Sequence, residues 1–344
     1  MYYLPIIKLK NREISKASYL KDYFNNPNVF PFLELQRYGI DETRKNKSIS
    51  DFLTSTGIKS YFLGIPHKPS VIKHGAANDS NCFYLKANAN NKMYLSESIN
   101  LFGLSSCIPT FYIYDKSDFL NAFGFISKAR KLNRTIALIT TPQIAKQVIK
   151  EDILDENDFL MLDLEEKSIK AYKPIIEEIV SEKKCKIILI RENRKPSTFN
   201  TAISLDEQAP LLPDLSMNFN DPSLNTIVNN LFGFGDYCGS KNDISTGSKI
   251  DRSNFFPAVA LYQKQEIPSY FLGIKSEEPL SKGGFENLFS LITQRQDTLE
   301  LSKIKSVETM LKNEKHGDYA FWSVFSQWFY IAKMSIFDSW KSTP

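Results

Sequence analysis

Short apolar runs rich in β-branched and aromatic residues alternate with longer segments of helical periodicity through the first two thirds of the chain. This alternation is typical of a parallel sheet built from strand–helix units. Eight runs predict strands, at Tyr3–Leu9, Val29–Leu35, Ser60–Ile65, Ile108–Tyr114, Thr135–Thr140, Phe159–Glu165, Lys186–Arg191 and Leu231–Tyr237. Because eight is the number that a closed parallel barrel requires, the pattern predicts an α/β, TIM-barrel-like (β/α)8 fold.

The segments between these strands carry apolar residues at intervals of three and four, which predicts helices. They lie at Ser15–Phe24, Ile49–Ser55, Ser117–Leu132, Ile144–Leu154 and Lys167–Lys183. Ser117 is the predicted N-cap of the third helix, because serine is among the residues preferred at that position.

Three segments depart from a regular barrel. Residues 67–103 begin with a long segment rich in Asn, Ser and Lys and end in a short predicted helix. Residues 195–225 contain four prolines, which predicts a loop. In residues 255–344, Phe255–Tyr262 and Ser269–Lys275 predict a β-hairpin, and three helices follow at Gly284–Leu301, Ile304–Asn313 and Tyr319–Trp340. We interpret residues 1–344 as a single barrel-like domain with these elaborations, the last being a late hairpin insertion and C-terminal helices.

Composition agrees with a globular protein and excludes a disordered one. The 344 residues are 42% hydrophobic and 13% aromatic, which supplies ample material for a core. Lys and Arg number 43 against 39 Asp and Glu, a net charge of +4, so the overall charge does not indicate a strongly basic protein. Two local basic stretches, Arg37–Lys47 and Lys128–Arg134, leave nucleic-acid binding open, with a solvated face as the alternative.

Cysteine spacing and hydropathy predict the compartment. Cys82, Cys107, Cys185 and Cys238 lie far apart, without the spacing of a zinc site or redox pair, which favours buried, reduced thiols. The N-terminus lacks the pattern of a signal peptide, and no segment reaches the ~20 apolar residues of a membrane-spanning helix. We therefore expect a cytoplasmic protein.

Three short segments carry a resemblance to a known family. The first is Tyr3-Leu-Pro-Ile-Ile-Lys8, and the second, after a helix, is Pro31-Phe-Leu-Glu34. The third is Gly233-Phe-Gly-Asp-Tyr237, followed by Phe256-Pro-Ala-Val-Ala-Leu261. In order and type these segments resemble the Beta protein family of prokaryotic and phage proteins.

The resemblance implies a biological context more than a reaction. Proteins of this family look barrel-like and occur among phage and mobile-element genes and candidate antiviral defence loci, often beside a nuclease-like partner. It implies no established reaction. On this basis we expect a protein that acts by macromolecular recognition, as sensor or regulator of an effector.

Polar residues at the ends of the predicted strands are the candidates for chemistry, because the strand C-termini form the working face of a parallel barrel. They are Lys8, Glu34, Asp163, Glu165, Arg191 and Asp236. As catalytic residues, the carboxylates of Glu34, Asp163 and Glu165 could hold Mg²⁺ or Mn²⁺ while Lys8 and Arg191 bind phosphate, as in a metal-dependent phosphodiesterase. As structural residues, they could form buried ion pairs such as Lys8–Glu34 and Arg191–Asp163.

Whether the chain is an enzyme stays open at this point. It has no P-loop, no GxSxG and no HExxH motif, which disfavours nucleotide hydrolysis, α/β-hydrolase chemistry and zinc proteolysis. No cofactor is predicted, except Mg²⁺ or Mn²⁺ under the phosphodiesterase alternative.

All three tryptophans lie in the last predicted helix, which is apolar on two sides. Such a helix is either a capping helix buried on both sides or a surface for a protein partner or a second copy. Aromatic side chains of this kind anchor many interfaces. We therefore predict partner binding, with an effector or phage protein as the expected partner, at Trp322, Phe325, Trp328, Phe329 and Trp340.

Overall fold

A computed structural model of the chain describes residues 1–35, 42–66, 91–104, 106–192, 208–210, 221–239, 253–263 and 270–336. Eight parallel strands pair in chain order and close into a barrel, which confirms the predicted TIM-barrel-like fold. They are β1 (Tyr2–Leu9), β2 (Phe32–Leu35), β3 (Tyr61–Gly64), β4 (Cys107–Ile113), β5 (Ala137–Thr140), β6 (Phe159–Asp163), β7 (Lys186–Arg191) and, after a short strand β8 (Gln208–Pro210) that lies outside the barrel, β9 (Leu231–Asp236).

Helices surround the barrel. They are α1 (Asn11–Ser15), α2 (Lys21–Phe24), α3 (Glu42–Thr56), α4 (Asn91–Asn100), α5 (Lys116–Lys131), α6 (Pro142–Lys150), α7 (Ile169–Glu182) and α8 (Asn225–Val228), with 3-10 turns at Ala17–Leu20, Leu101–Gly103 and Pro222–Leu224. The first predicted helix is thus two short helices joined by a 3-10 turn.

The N-cap of α5 is Asp115 rather than the predicted Ser117, which lies inside the first turn. The backbone N–H of Asp118 donates to Asp115 Oδ1 at 3.0 Å, and the N–H of Asp115 donates to Asp118 Oδ2 at 3.2 Å. This reciprocal pair is a capping box built from two aspartates. Asp118 Oδ2 also accepts the N–H of Tyr114 at 2.8 Å, so the cap fixes the residue that follows β4.

The late elaboration contains the predicted hairpin. Strands β10 (Ala258–Gln263) and β11 (Tyr270–Lys275) are antiparallel, and β8 pairs with β11 to form a three-stranded sheet. The segment predicted as loop therefore contributes a strand. Three helices follow, α9 (Gly284–Gln294), α10 (Lys305–Lys312) and α11 (Tyr319–Ile336), with 3-10 turns at Leu280–Lys282 and Leu301–Lys303.

Strand alternation divides the core into two parts, one inside the barrel and one between barrel and helices. The N-terminal end of the barrel interior is filled with aromatic rings. Tyr2 stacks on Phe232 with ring centroids 4.4 Å apart, and Phe159 lies edge-on to Phe232 at 5.1 Å and to Phe62 at 4.9 Å. The Lys186 ammonium lies over two of these rings, 5.0 Å from the centroid of Phe159 and 5.9 Å from that of Phe232.

Helix α11 packs between the barrel and the hairpin. Trp328 Nε1 donates to the carbonyl of Lys16 at 2.8 Å, next to α1, and Ser326 Oγ donates to the carbonyl of Ala260 in β10 at 2.8 Å. The helix therefore covers the barrel where an eighth barrel helix is expected, and the inserted hairpin covers its other side. That double cover explains why the helix is apolar on two sides.

The aromatic residues predicted to bind a partner are consequently core residues. The side chains of Trp322, Phe325, Trp328 and Phe329 are all buried, so a partner cannot reach them without displacing α11. The capping-helix alternative describes this arrangement, and Trp340 lies outside the described residues. Within the described chain, none of the helices has the length and hydropathy needed to cross a membrane.

The three described cysteines are free and buried. Burial raises the pKa of the Cys107 and Cys185 thiols to about 12, and it raises the pKa of the Cys238 thiol as well. These thiols stay protonated near neutral pH, which makes them poor nucleophiles. Cys82 lies outside the described residues.

Candidate functional site at the barrel mouth

The C-terminal end of the barrel interior is polar. Charged or hydroxyl-bearing side chains point inward there from the ends of six strands. We call these side chains the mouth cluster: Lys8, Glu34, Tyr112, Tyr114, Asp163, Glu192 and Tyr237. All of them except Tyr114 are at most 6% exposed. The cluster is therefore a buried polar layer that caps the apolar interior of the barrel.

Glu34 and Tyr112 form the first pair of the cluster. The Tyr112 hydroxyl donates to Glu34 Oε1 at 2.7 Å. The Tyr112 ring crosses the barrel in front of β3, where an added Cβ on Gly64 would come within 3.0 Å of Tyr112 Cε2. Gly64 therefore leaves the space that the ring needs. Lys8 is the parallel register partner of Glu34, so both charged residues lie at one level of the barrel.

Asp163 holds two neighbouring groups with its two oxygens. Oδ2 accepts the Tyr114 hydroxyl at 2.5 Å, and Oδ1 accepts the backbone N–H of Glu165 at 2.8 Å. Glu165 has a left-handed φ of 56°, a conformation uncommon for residues other than glycine. Asp163 itself is fully buried, whereas Tyr114 and Glu165 are partly exposed. The carboxylate thus positions two partly exposed residues of the described part of the mouth.

The ammonium group of the cluster, on Lys8, lies over an aromatic ring. Lys8 Nζ is 5.4 Å from the centroid of the Tyr237 ring, a distance at which the ring quadrupole attracts a cation. Burial, and after it the charges of Glu34 and Asp163, raise the pKa of Tyr112 and Tyr114 well above the ordinary value. Both hydroxyls therefore stay protonated and act as hydrogen-bond donors.

These raised pKa values predict loss of stability in alkali. Above pH ~10 the tyrosines of the unfolded chain ionise while Tyr112 and Tyr114 in the folded chain stay neutral, so each contributes a loss of up to ~1.4 kcal/mol per pH unit. We expect the free energy of unfolding, measured by urea titration between pH 9 and 11, to fall less steeply in Tyr114→Phe. An unchanged slope in this variant would contradict the assignment of a raised pKa to Tyr114.

Two residues predicted at the mouth lie on the opposite, helix-facing side of their strands. Arg191 continues the outward series of Ile187 and Leu189, and it donates to the carbonyl of Glu166 at 3.2 Å. The suggested Arg191–Asp163 pair is therefore wrong, because Asp163 faces inward. Asp236 also faces outward and accepts hydrogen bonds from Tyr3, Tyr330 and the Cys238 N–H.

The structure brings three of the six predicted residues, Lys8, Glu34 and Asp163, into the mouth cluster. Glu165 is adjacent, in the turn after β6, because this strand ends at Asp163 rather than Glu165. The sequence analysis missed Tyr112, Tyr114, Glu192 and Tyr237. Their inward register, in alternation with apolar neighbours, is the signal that identifies them.

The metal-ligand set of Glu34, Asp163 and Glu165 is not assembled as such. In the part of the chain that the structure describes, no three His, Cys, Asp or Glu side chains lie close enough together to hold a metal ion. Instead, oxygens of Glu34 and Asp163 accept hydrogen bonds from tyrosine hydroxyls.

The basic stretch at Lys128–Arg134 is partly structural. Arg130 forms ion pairs with Asp155, at 3.0 Å, and with Asp158. Arg134 donates to three backbone carbonyls, those of Phe102, Leu104 and Cys107. Lys128 and Lys131 are exposed. In the other stretch, the side chains of Arg37, Arg44 and Lys45 lie outside the described residues.

Comparison with known proteins found a similarity among solved structures only. No protein-family model matches the chain, and no curated protein matches it significantly. Among solved structures, the chain is similar to a mandelate racemase/muconate lactonizing protein from Herpetosiphon aurantiacus, with 8% sequence identity and a TM-score of 0.39. The match covers 79% of this chain and 61% of that protein, so the chain spans less than two thirds of its length.

Proposed function

We propose that the mouth cluster is a recognition site, and that the protein acts by binding, as sensor or regulator of an effector in phage defence or in a mobile element. The observation that carries this proposal is the difference between the two ends of the barrel. One end is filled with the rings of Tyr2, Phe62, Phe159 and Phe232, with the Lys186 ammonium over two of them, and the other with carboxylates, tyrosine hydroxyls and the Lys8 ammonium.

The stability of the barrel alone does not explain why one end of its interior is polar. Closing a barrel requires only that its interior be filled, and the aromatic end does so without charged carboxylates. Replacing buried charged groups by apolar groups of similar volume is often neutral or stabilising. A barrel that keeps Glu34 and Asp163 buried at its C-terminal end, where such folds hold their sites, therefore supports a functional role for them.

The chemistry of the cluster favours a cationic or hydrogen-bonding ligand. Among the described mouth residues, the carboxylates of Glu34, Asp163 and Glu192 outnumber the single ammonium of Lys8. With Arg191 on the opposite face, a bare phosphate would meet more negative than positive charge among these described residues. Tyr114 and Glu165, which are partly exposed, are the groups that such a ligand would meet first.

The proposed biological setting is supported by the resemblance to the Beta protein family. Lys8 ends the first matching segment and Glu34 ends the second, and the two are register partners in the mouth. Tyr237, which ends the third segment, lies under the Lys8 ammonium. The segments that carry the resemblance thus contribute three members of the mouth cluster, which supports a shared site and, with it, a macromolecular effector as partner.

Phage plating tests the proposal. We expect cells that carry the gene in its natural neighbourhood to reduce the plating of susceptible phages, and Asp163→Asn to abolish that reduction. The amide cannot accept both the Tyr114 hydroxyl and the Glu165 N–H as a carboxylate does, so the two partly exposed residues lose their fixed positions. Tyr114→Phe is expected to act in the same direction.

The matched control is Tyr19→Phe, which removes a hydroxyl that accepts a hydrogen bond from Asn313 at the surface. Protection that persists at full strength in folded Asp163→Asn would refute the mouth as the site, and absence of protection by the natural chain would refute the defence setting. The phosphodiesterase alternative makes a different prediction. It requires Mn²⁺ or Mg²⁺ to raise the Tm of the natural chain and not that of Glu34→Gln or Asp163→Asn.

A further inference from the structure

The N-terminal end of the barrel holds a cavity of about 460 Å³ next to the aromatic rings that fill this end. It is lined by Phe30, Phe159 and Phe232 and by residues at or just before the starts of β3, β4 and β5. The rings of Phe30 and Phe232 are partly exposed. Sites for small molecules have volumes of roughly 300–1,000 Å³, so this space, which we call the N-terminal cavity, is large enough for one.

Two cationic side chains lie at the N-terminal cavity without forming an ion pair with any described residue. The Lys186 ammonium lies over the rings of Phe159 and Phe232. Arg134 lines the cavity and donates to three backbone carbonyls. Rings and carbonyls hold the two cations in place, but they carry no net charge. Because none of the described residues that line the cavity is Asp or Glu, its wall attracts an anion.

Asp158, the residue before Phe159, does not offset this positive charge. Its side chain is buried, and its oxygens accept the backbone N–H groups of Ile136 at 3.1 Å and Asp155 at 2.9 Å. The same carboxylate forms an ion pair with Arg130. The charge of Asp158 is therefore balanced by a different cation, away from the cavity.

Uncharged polar side chains form much of the remaining wall. Those of Ser60, Ser106, Asn133 and Thr135 make no hydrogen bond with another residue in the part of the chain that the structure describes. Their hydroxyl and amide groups are therefore open to a ligand. A ligand with several hydrogen-bonding groups gains more from this wall than a purely apolar one does.

We propose that the N-terminal cavity binds a nucleoside monophosphate. Such a ligand combines a flat ring, several hydrogen-bonding groups and an anion, and the wall offers a partner for each. The base packs against Phe30 and Phe232, in the way that bases pack against aromatic side chains in other proteins. The phosphate is attracted by Lys186 and Arg134, which flank Phe159 from β7 and from the segment before β5. The cavity lies at the end of the barrel opposite to the mouth cluster, so a nucleotide bound there leaves the mouth free.

Isothermal titration calorimetry of the full chain tests the proposal, with adenosine monophosphate and uridine monophosphate as the probes. We expect saturable binding of at least one of them at one site per chain. The matching nucleoside lacks the anion, and inorganic phosphate lacks the ring. Each of these should therefore bind more weakly than the monophosphate, by roughly tenfold or more.

Two variants test whether the ligand lies in this cavity. Lys186→Gln removes a cation without adding bulk and should weaken binding by roughly tenfold or more. Ser60→Trp, at an exposed position of the wall, should fill the cavity and abolish binding. The matched control is Lys184→Gln, which removes the same charge at the same end of the barrel, where the exposed Lys184 pairs with Asp152 outside the cavity. This control should leave the affinity unchanged, and the Tm of each variant shows that it is folded.

Three results would overturn the proposal. The first is the absence of saturable binding by both monophosphates, including the case in which only a single-stranded oligonucleotide binds. The second is binding that folded Lys186→Gln and Ser60→Trp leave unchanged, since the ligand would then lie elsewhere. The third is an equal loss of affinity in Lys184→Gln, since the chain would then attract the phosphate through its overall charge.

Discussion

Ending the chain at Lys315, which removes α11, is expected to unfold the barrel. The helix buries the side chains of Trp322, Phe325, Trp328 and Phe329 between the barrel and the hairpin. Full burial of one large apolar side chain contributes ~1.5–3 kcal/mol, so these four alone match much of the ~5–15 kcal/mol by which a domain is stable. The shortened chain would in addition expose the surfaces that these side chains cover.

Circular dichroism and limited proteolysis of the shortened chain measure this outcome. We expect no cooperative thermal transition and rapid cleavage throughout the barrel. Trp328→Ala is a graded version, expected to lose ~3–5 kcal/mol from a cavity and a lost hydrogen bond to Lys16. Tyr319→Phe, at the exposed first residue of the same helix, is the control; it keeps the ring that packs against Phe285 and should change stability little. A shortened chain that folds and only loses a binding partner would restore the docking role predicted from the sequence.

The barrel could be predicted because its strands are buried on both faces. Parallel strands between an apolar interior and covering helices appear as nearly continuous apolar runs, and each of the eight predicted runs overlaps a barrel strand. The first and last residues of each strand are less well determined by hydropathy. Residue 165 falls outside β6 because the Asp163 side chain binds the Glu165 N–H, and this local turn ends the strand.

The site was predicted only in part because charge, rather than register, selected the candidates. Arg191 follows the outward series of Ile187 and Leu189, so alternation already places it on the helix-facing side. Tyr112 and Tyr114 follow the inward series and were missed because a tyrosine in a strand is commonly a packing residue. For α11, periodicity shows two apolar sides, but only the tertiary structure shows that the hairpin covers the second one.

Asp236→Ala is expected to be among the most destabilising single substitutions in the chain. Its carboxylate accepts three hydrogen bonds, from the Tyr3 hydroxyl at 3.1 Å, the Cys238 N–H at 2.9 Å and the Tyr330 hydroxyl at 2.8 Å. These groups come from β1, the turn after β9 and α11, so one side chain joins the closing seam of the barrel to its last helix. Removing it leaves three buried donors without this acceptor, a loss of roughly 3–5 kcal/mol.

Urea unfolding distinguishes this structural role from the catalytic role predicted from the sequence. Loss of activity or binding in a variant that keeps its stability would indicate a catalytic residue, whereas Asp236→Ala should lose stability. Tyr330→Phe removes one donor and should lower the free energy of unfolding by ~1–3 kcal/mol. The double variant with Asp236→Ala should lose less than the sum of the two single losses, because both substitutions remove the same hydrogen bond. Tyr19→Phe, at the surface, should have almost no effect. Full stability of Asp236→Ala would mean that α11 is held by its aromatic packing alone, and the carboxylate would again be a candidate for chemistry.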